Sequence, residues 1–108
     1  MDELTLITKI QRELKEQYQQ TGDAITTGSS NTALGYAALS ENAAASKNVA
    51  VGDLALLNFT SATASNTYNT AVGSAAGQNL TSGTDNAFVG GLAADALTTG
   101  GENAVFGS

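Results

Sequence analysis

Five times along the chain an asparagine stands four residues ahead of a glycine, with a short apolar stretch between them: NTALG at 31 to 35, NVAVG at 48 to 52, NTAVG at 69 to 73, NAFVG at 86 to 90 and NAVFG at 103 to 107. The glycines Gly35, Gly52, Gly73, Gly90 and Gly107 are 17, 21, 17 and 17 residues apart, a fixed period with one four-residue insertion. Self-similarity on this scale marks a stacked repeat, in which one unit buries too little apolar surface to fold alone and its neighbours supply the rest of the core.

Superimposing the repeats shows their plan. Two residues before each glycine stand Ala33, Ala50, Ala71, Phe88 and Val105; one before it stand Leu34, Val51, Val72, Val89 and Phe106. Consecutive strand residues point to opposite faces, so both faces are apolar. One face fills the inside of a coil and the other needs a second covering, which argues for several chains side by side. Ala38, Ala55, Ala76 and Ala93 follow three residues after the glycine, at a place with no room for a larger side chain. Phe59, Leu80 and Leu97 form a second apolar column, in which the first full repeat carries Asn42. The closing turn is polar, and its Ile25-Thr26-Thr27-Gly28 pattern recurs as Leu80-Thr81-Ser82-Gly83 and Leu97-Thr98-Thr99-Gly100, so a half coil precedes Asn31. Each coil should advance the stack by about 4.8 Å, the spacing of a strand ladder.

The asparagines Asn31, Asn48, Asn69, Asn86 and Asn103 then fall at one position of successive coils. Stacked there, their amides can hydrogen-bond up the stack or cap the backbone entering the strand. Each glycine permits a backbone conformation or a close approach that a side chain would forbid. A ligand-binding row is the functional alternative, and repetition in every coil favours the scaffold ladder.

Residues 2 to 20 read as a helix: Asp2 and Glu3 suit its positive N-terminal end, strong helix formers follow, and Gly22 suits its C-terminal end. Leu4, Ile7, Leu14 and Tyr18 form one apolar stripe with Gln11 as its polar member, and Ile7, Ile10, Leu14 and Gln17 form an alternative heptad seam. Lys9 with Glu13, and Arg12 with Glu16, are helix neighbours worth about 0.2 to 0.5 kcal/mol per pair. A helix this short is marginal in water without a partner. We expect two parts: an oligomerising or anchoring helix over 1 to 21 and a β-coil repeat over 22 to 108. Ile7, Ile10 and Leu14 in the helix, with Val51, Val72 and Val89 in the coils, are the expected oligomer core.

The chain has no Cys, His, Trp or Pro, so the commonest metal ligands, thiol nucleophiles and imidazole acid–base groups are missing. We expect no enzyme and no cofactor. Asp85 and Glu102 occupy corresponding positions just before the asparagine, with Lys47 as their counterpart. Stacked carboxylates could share a Ca²⁺, but two alone make a poor site and read as solvated turn charges. No aromatic cluster accompanies them as a glycoside-cleaving pair would require. The net charge is −6, and from Thr21 onward six acids face Lys47 alone, a balance that repels nucleic acid and anionic membrane surfaces. No apolar run is long enough to span a bilayer and no secretory signal is visible. Thr26-Thr27, Thr81-Ser82 and Thr98-Thr99 would form a hydroxyl array suited to ice or carbohydrate, interrupted by Ala43-Ala44 and Thr60-Ser61.

NTALGYAAL at 31 to 39 and NTAVGSAAG at 69 to 77, followed by LTSGTDNAFVG and LTTGGENAVFG, resemble the repeats of bacteriophage tail fibres. Those fibres are trimers of stacked β-coils, similar in principle to the left-handed β-roll heads of trimeric autotransporter adhesins. The resemblance covers residues 22 to 108; the coil here is longer than in the adhesin heads. It implies a mainly β fold with an N-terminal helix, a stacked β-solenoid or β-roll of about 17-residue coils, and an intertwined or side-by-side homotrimer. It also implies location in the virion, attachment to a baseplate or tail protein through the helix, and contact with a host cell surface through sequence beyond Ser108. The alternative it leaves is an extracellular adhesin on a bacterial surface. Because Ser108 falls in mid-coil, we expect more protein after it, carrying a receptor-binding tip or a folding chaperone domain.

Overall fold

The computed structural model describes residues 2–17, 22, 24–60 and 65–108, with the backbone alone described over 11–17. One helix, α1 (Glu3–Gln17), precedes five short strands: β1 (Thr32–Leu34), β2 (Val49–Val51), β3 (Thr70–Val72), β4 (Ala87–Val89) and β5 (Ala104–Phe106). The strands form one parallel sheet in sequence order, pairing Ala33 with Ala50, Ala50 with Ala71, Ala71 with Phe88 and Phe88 with Val105. The fold is therefore a parallel β-solenoid with coils of about 17 residues, as the period predicts. The 21-residue coil keeps the same register, so its extra residues lie between Thr60, whose N–H donates to Thr81, and Thr67, whose N–H donates to Ser46.

Burial follows strand alternation. Ala50, Ala71 and Phe88 point inward and are fully buried, whereas Leu34, Val72 and Phe106 point outward and are exposed. Opposite the strands, the coil interior is closed by Leu39 and Leu56, then Gly77 and Ala94, with Phe59 and Leu80 below the turn. Size is balanced between these columns: the coils of β1 and β2 carry an inward alanine and a leucine, whereas the β3 coil carries Ala71 and Gly77 and the next coil's Phe88 ring fills the space beside Gly77. A Cβ on Gly77 would lie 2.7 Å from a Phe88 ring carbon and 3.0 Å from Leu56, so the missing side chain is the space the ring occupies.

The return path is not a strand. Three overlapping turns follow Gly35, Gly52, Gly73 and Gly90, in the first full coil Ala38 N–H to Gly35 O (3.1 Å), Ser40 N–H to Ala37 O (3.3 Å) and Asn42 N–H to Leu39 O (3.3 Å). The first two place a left-handed residue third, Ala37 (φ 58°) and Leu39 (φ 55°), the type II signature that normally calls for glycine. Leu54, Leu56, Ala75, Leu92 and Ala94 repeat it in the later coils. Left-handed L-residues cost roughly 1–2 kcal/mol each. The conformation turns alternate amides along opposite directions of the stack: Leu54 N–H donates back to Tyr36 O (2.8 Å) and Leu56 N–H forward to Ala76 O (3.0 Å). Each corner is thus bonded to the coils on both sides.

Helix α1 opens at Asp2, whose carboxylate accepts the Thr5 N–H (2.7 Å) while its carbonyl accepts the Leu6 N–H (3.1 Å). Asp2 is therefore the cap of a helix running to Gln17; Tyr18 and residues 19 and 20 lie outside the described residues. Gly22 is left-handed (φ 57°), but its N–H donates to Ala38 O (2.9 Å), tying it to the first full coil. The Thr5 backbone N–H, and secondarily its hydroxyl, hold the Asp2 carboxyl below its ordinary value. A depressed carboxyl stabilises the folded state above its unfolded pKa, and that contribution is lost as pH falls through the folded one. Helix content, read by carbon chemical shifts over residues 3 to 10, should therefore fall in acid. Asp2→Ala should lower it at neutral pH, and Asp2→Asn should remove the acid dependence of this end while keeping a cap.

Candidate functional site: the asparagine row and the outer sheet face

The five repeat asparagines lie in one row along the stack, just ahead of the strands. Asn31 Oδ1 accepts the Asn48 backbone N–H (3.0 Å) and side-chain amide (3.2 Å). Asn69 Oδ1 receives the same pair from Asn86 (3.2 and 3.0 Å), and Asn86 Oδ1 from Asn103 (both 3.0 Å). Three of the amides also donate to the turn of the next coil: Asn31 to Ala45 O (3.0 Å), Asn69 to Gly83 O (2.8 Å) and Asn86 to Gly100 O (2.9 Å). One side chain thereby joins three backbone segments. Asn48, Asn69 and Asn86 are buried, and among the described residues no buried side-chain polar atom is left unpaired.

The insertion changes one rung. Asn48 Oδ1 accepts the Asn69 N–H (3.0 Å), but its second donor is the Thr67 hydroxyl (2.8 Å) rather than the Asn69 amide. Thr67 is fully buried and stands in the coil that carries the extra residues. Asn42, in the Phe59, Leu80 and Leu97 column, closes its own turn by donating to Ala45 O (2.9 Å) and accepting the Ala45 N–H (3.1 Å). A shorter row on the outside, which the repeat alignment does not single out, links Asn58 to Asn79 (2.9 Å) and Asn79 to Asp95 O (2.8 Å). Its signal was available as asparagine at equal distances after Gly52 and Gly73.

The glycines mark where coils touch backbone to backbone. A Cβ on Gly35, Gly52 or Gly73 would lie 2.5–2.7 Å from the next glycine's carbonyl, and all three have φ between 126° and 135°. Gly90 meets Gly107 in the same way at 2.8 Å, while Gly107 itself has nothing within 4 Å. The close approach is thus a property of stacking, repeated at every coil-to-coil step.

The outer face is a different surface. Leu34, Val51, Val72, Val89 and Phe106 run along it in one column, half-buried to exposed, with Phe106 78 % exposed. Thr32, Val49, Thr70, Ala87 and Ala104 form the parallel column two residues earlier. Helix α1 contacts none of the strands, and Leu4, Ile7 and Ile10 are exposed, Leu4 to 74 %. The Leu14 side chain lies outside the described residues. The apolar stripe of the helix is therefore not used against its own solenoid among the described residues.

The acidic and hydroxyl candidates sit elsewhere. Asp85 and Glu102 occupy exposed left-handed positions before Asn86 and Asn103, in the column of Lys47. Lys47 Nζ lies 5.6 Å from the Tyr68 ring centroid, a cation–π contact between successive coils. The Thr81 hydroxyl donates to Thr98 O (3.1 Å) and the Thr26 hydroxyl to Ala43 O (3.3 Å), so these hydroxyls serve the stack. Among the described residues no three acidic side chains gather as a metal site, no cavity opens, and no helix is long and apolar enough to cross a membrane. No protein family, curated protein or solved structure is detectably similar to this chain.

Proposed function

We propose that the chain is a non-enzymatic structural segment of a homotrimeric fibre shaft of the viral tail-fibre kind. In it, α1 joins the copies and attaches them to a virion component, and the coils hold a distal receptor-binding part at a fixed distance. The observation that carries this reading is the uncovered apolar column Leu34, Val51, Val72, Val89 and Phe106, which follows the whole stack. Surface of this kind, continuous along one direction, is what a soluble protein covers with a partner. Three copies with these faces turned inward enclose a dry prism, and the exposed Leu4, Ile7 and Ile10 give the helices an apolar seam of their own. The interior supplies what a shaft needs: backbone bonds and side-chain amides that couple every coil to the next, so that bending or fraying must break several at once.

The test is the mass of the chain in solution by light scattering. Three times the chain mass is expected, and a monomer at micromolar concentration would remove the fibre reading. Val72→Asp should convert the assembly to monomers with little loss of coil structure, since its side chain faces outward in the single chain but would place a charge in the dry contact. A Val72→Asp protein that assembles like its parent would show that the outer column is not the contact.

A further inference from the structure

We infer that the copies associate in parallel and in register, with Lys47 of each copy set against Asp53 of the partner subunit. This rests on the association proposed above and adds its direction, its level and its rim contacts. Two exposed columns frame the outer sheet face. Where the strands begin, the residues before the repeat asparagines are Ser30, Lys47, Tyr68, Asp85 and Glu102, all left-handed and all exposed. Where the strands end, the residues after the repeat glycines are Tyr36, Asp53, Ser74, Gly91 and Ser108, again all exposed.

Rotation about an axis along the stack leaves every coil at its own height and brings the start of one strand to the end of its neighbour's. The residues that meet are then fixed by symmetry: Ser30 with Tyr36, Lys47 with Asp53, Tyr68 with Ser74, Asp85 with Gly91 and Glu102 with Ser108. At each level a bulky or charged residue meets a small one, or opposite charges meet. No level pairs two aromatics and none pairs two carboxylates. Lys47 is the single cation from Thr21 onward, and it stands on the one level whose other rim position is Asp53. The Tyr68 ring beside its ammonium holds the long side chain at this rim. Displacing one copy by a coil in either direction would take Lys47 from Asp53, setting it against Tyr36 or Ser74, and in one direction would also set Tyr68 against Asp53. Reversing one copy about an axis along the strands would set Lys47 against Asp85 and Tyr68 against itself. Symmetric parallel packing is the arrangement that gives each bulky rim residue a small neighbour and the lone cation a carboxylate.

The chain has no cysteine, so engineered pairs report directly. Within one chain, positions 47 and 53 lie at opposite ends of a strand, roughly 20 Å apart at about 3.3 Å per residue, too far for an internal disulfide. Under mild oxidation, the Lys47→Cys/Asp53→Cys double variant should run on a non-reducing denaturing gel at the mass of the whole assembly. Either single variant should run as one chain. Cross-linking of Lys47→Cys/Asp85→Cys in its place, with an assembled parent, would overturn the parallel register while leaving association intact. A monomeric parent would remove both. If the cysteine variants do not assemble, charge exchange decides: Lys47→Asp and Asp53→Lys should each weaken association about two- to fivefold per contact, the range of an exposed ion pair. Combining them should restore it. Failure of the exchange to restore would overturn the contact.

Discussion

Gly73→Ala is expected to destabilise the solenoid by more than about 4 kcal/mol, enough to end cooperative unfolding of the coils as one unit. Two costs add. The backbone at Gly73 has φ 135°, a region that L-residues with a side chain rarely enter, at roughly 1–3 kcal/mol. The new methyl would also lie 2.5 Å from Gly90 O, 2.6 Å from Gly90 C and 3.0 Å from Gly91 N, all backbone atoms with no rotamer by which to move aside. Relief requires coils three and four to part. On both sides of that point they are held by Gly90 N–H to Val72 O (2.8 Å), Leu92 N–H to Ser74 O (2.8 Å) and Gly77 N–H to Ala93 O (2.9 Å). A methyl group that stretches several such bonds belongs to the exceptional tail of single substitutions. Gly91→Ala is the control: its φ is not in the left-handed region and its nearest atom, Ser74 O, is 4.0 Å away, so a change within about 0.5 kcal/mol is expected. Urea unfolding followed by far-ultraviolet circular dichroism compares the two. A Gly73→Ala protein within 1 kcal/mol of its parent would mean that coil spacing is far softer than these contacts imply.

The same glycine illustrates what sequence could and could not reveal. Its recurrence at a fixed distance after asparagine gives the period and the alternation of inner Ala71 and outer Val72, because strand geometry has only two faces. The parallel sheet, its register and the inner and outer columns follow from that and are present in the structure. The corner conformation does not follow. Ala37, Leu54, Leu56 and Leu92 have no intrinsic preference for positive φ, and Gly77 alone hints at it. What forces the conformation is hydrogen bonding to two neighbouring coils, an effect of the stack that no local window contains.

The polar interior was legible in part for the same reason. A recurring asparagine announces a row, yet which atom each amide reaches depends on the height of the next coil. Asn31, Asn69 and Asn86 reach the turn three residues before the next asparagine, whereas Asn48 donates to Ser46 O (3.3 Å) in its own coil. The insertion between Thr60 and Thr67 explains the exception, and Thr67 supplies the missing donor at Asn48 Oδ1. Asn42 reads in sequence as a gap in an apolar column; its side chain in fact replaces packing with a two-bond turn. The helix shows the converse. Its stripe is plain in the spacing of Leu4, Ile7 and Ile10, but a stripe specifies an apolar partner without saying which one.

Asn86→Ala should cost about 3 kcal/mol or more, although it removes only a small polar group. The intact side chain accepts the Asn103 N–H and amide and donates to Asn69 Oδ1 and Gly100 O. Truncation strands the Asn103 N–H, the Gly100 carbonyl and one Asn103 amide hydrogen, while Asn69 Oδ1 keeps the residue-86 backbone N–H. Each stranded group in a buried place costs about 1–3 kcal/mol, and the small cavity recovers part of that only where water can enter and bond. Asn103→Ala serves as the comparison: half-buried and last in the row, it removes one of the two donors to Asn86 Oδ1, which keeps the residue-103 backbone N–H, for an expected loss of about 1 kcal/mol. Asn86→Asp separates hydrogen bonding from volume, since it keeps the acceptor but turns a carboxylate toward Asn69 Oδ1 and Gly100 O, which can only accept. That arrangement raises the folded-state pKa of the new carboxyl, so the variant should be least stable at neutral pH and regain stability as pH falls through that raised value toward the ordinary carboxylate range. Equal, small losses for Asn86→Ala and Asn103→Ala, with no acid recovery in Asn86→Asp, would mean that the row merely occupies the interior. The expected gradient, steep in the middle and shallow at the end, would mean that the asparagines set the height at which each coil docks on the last.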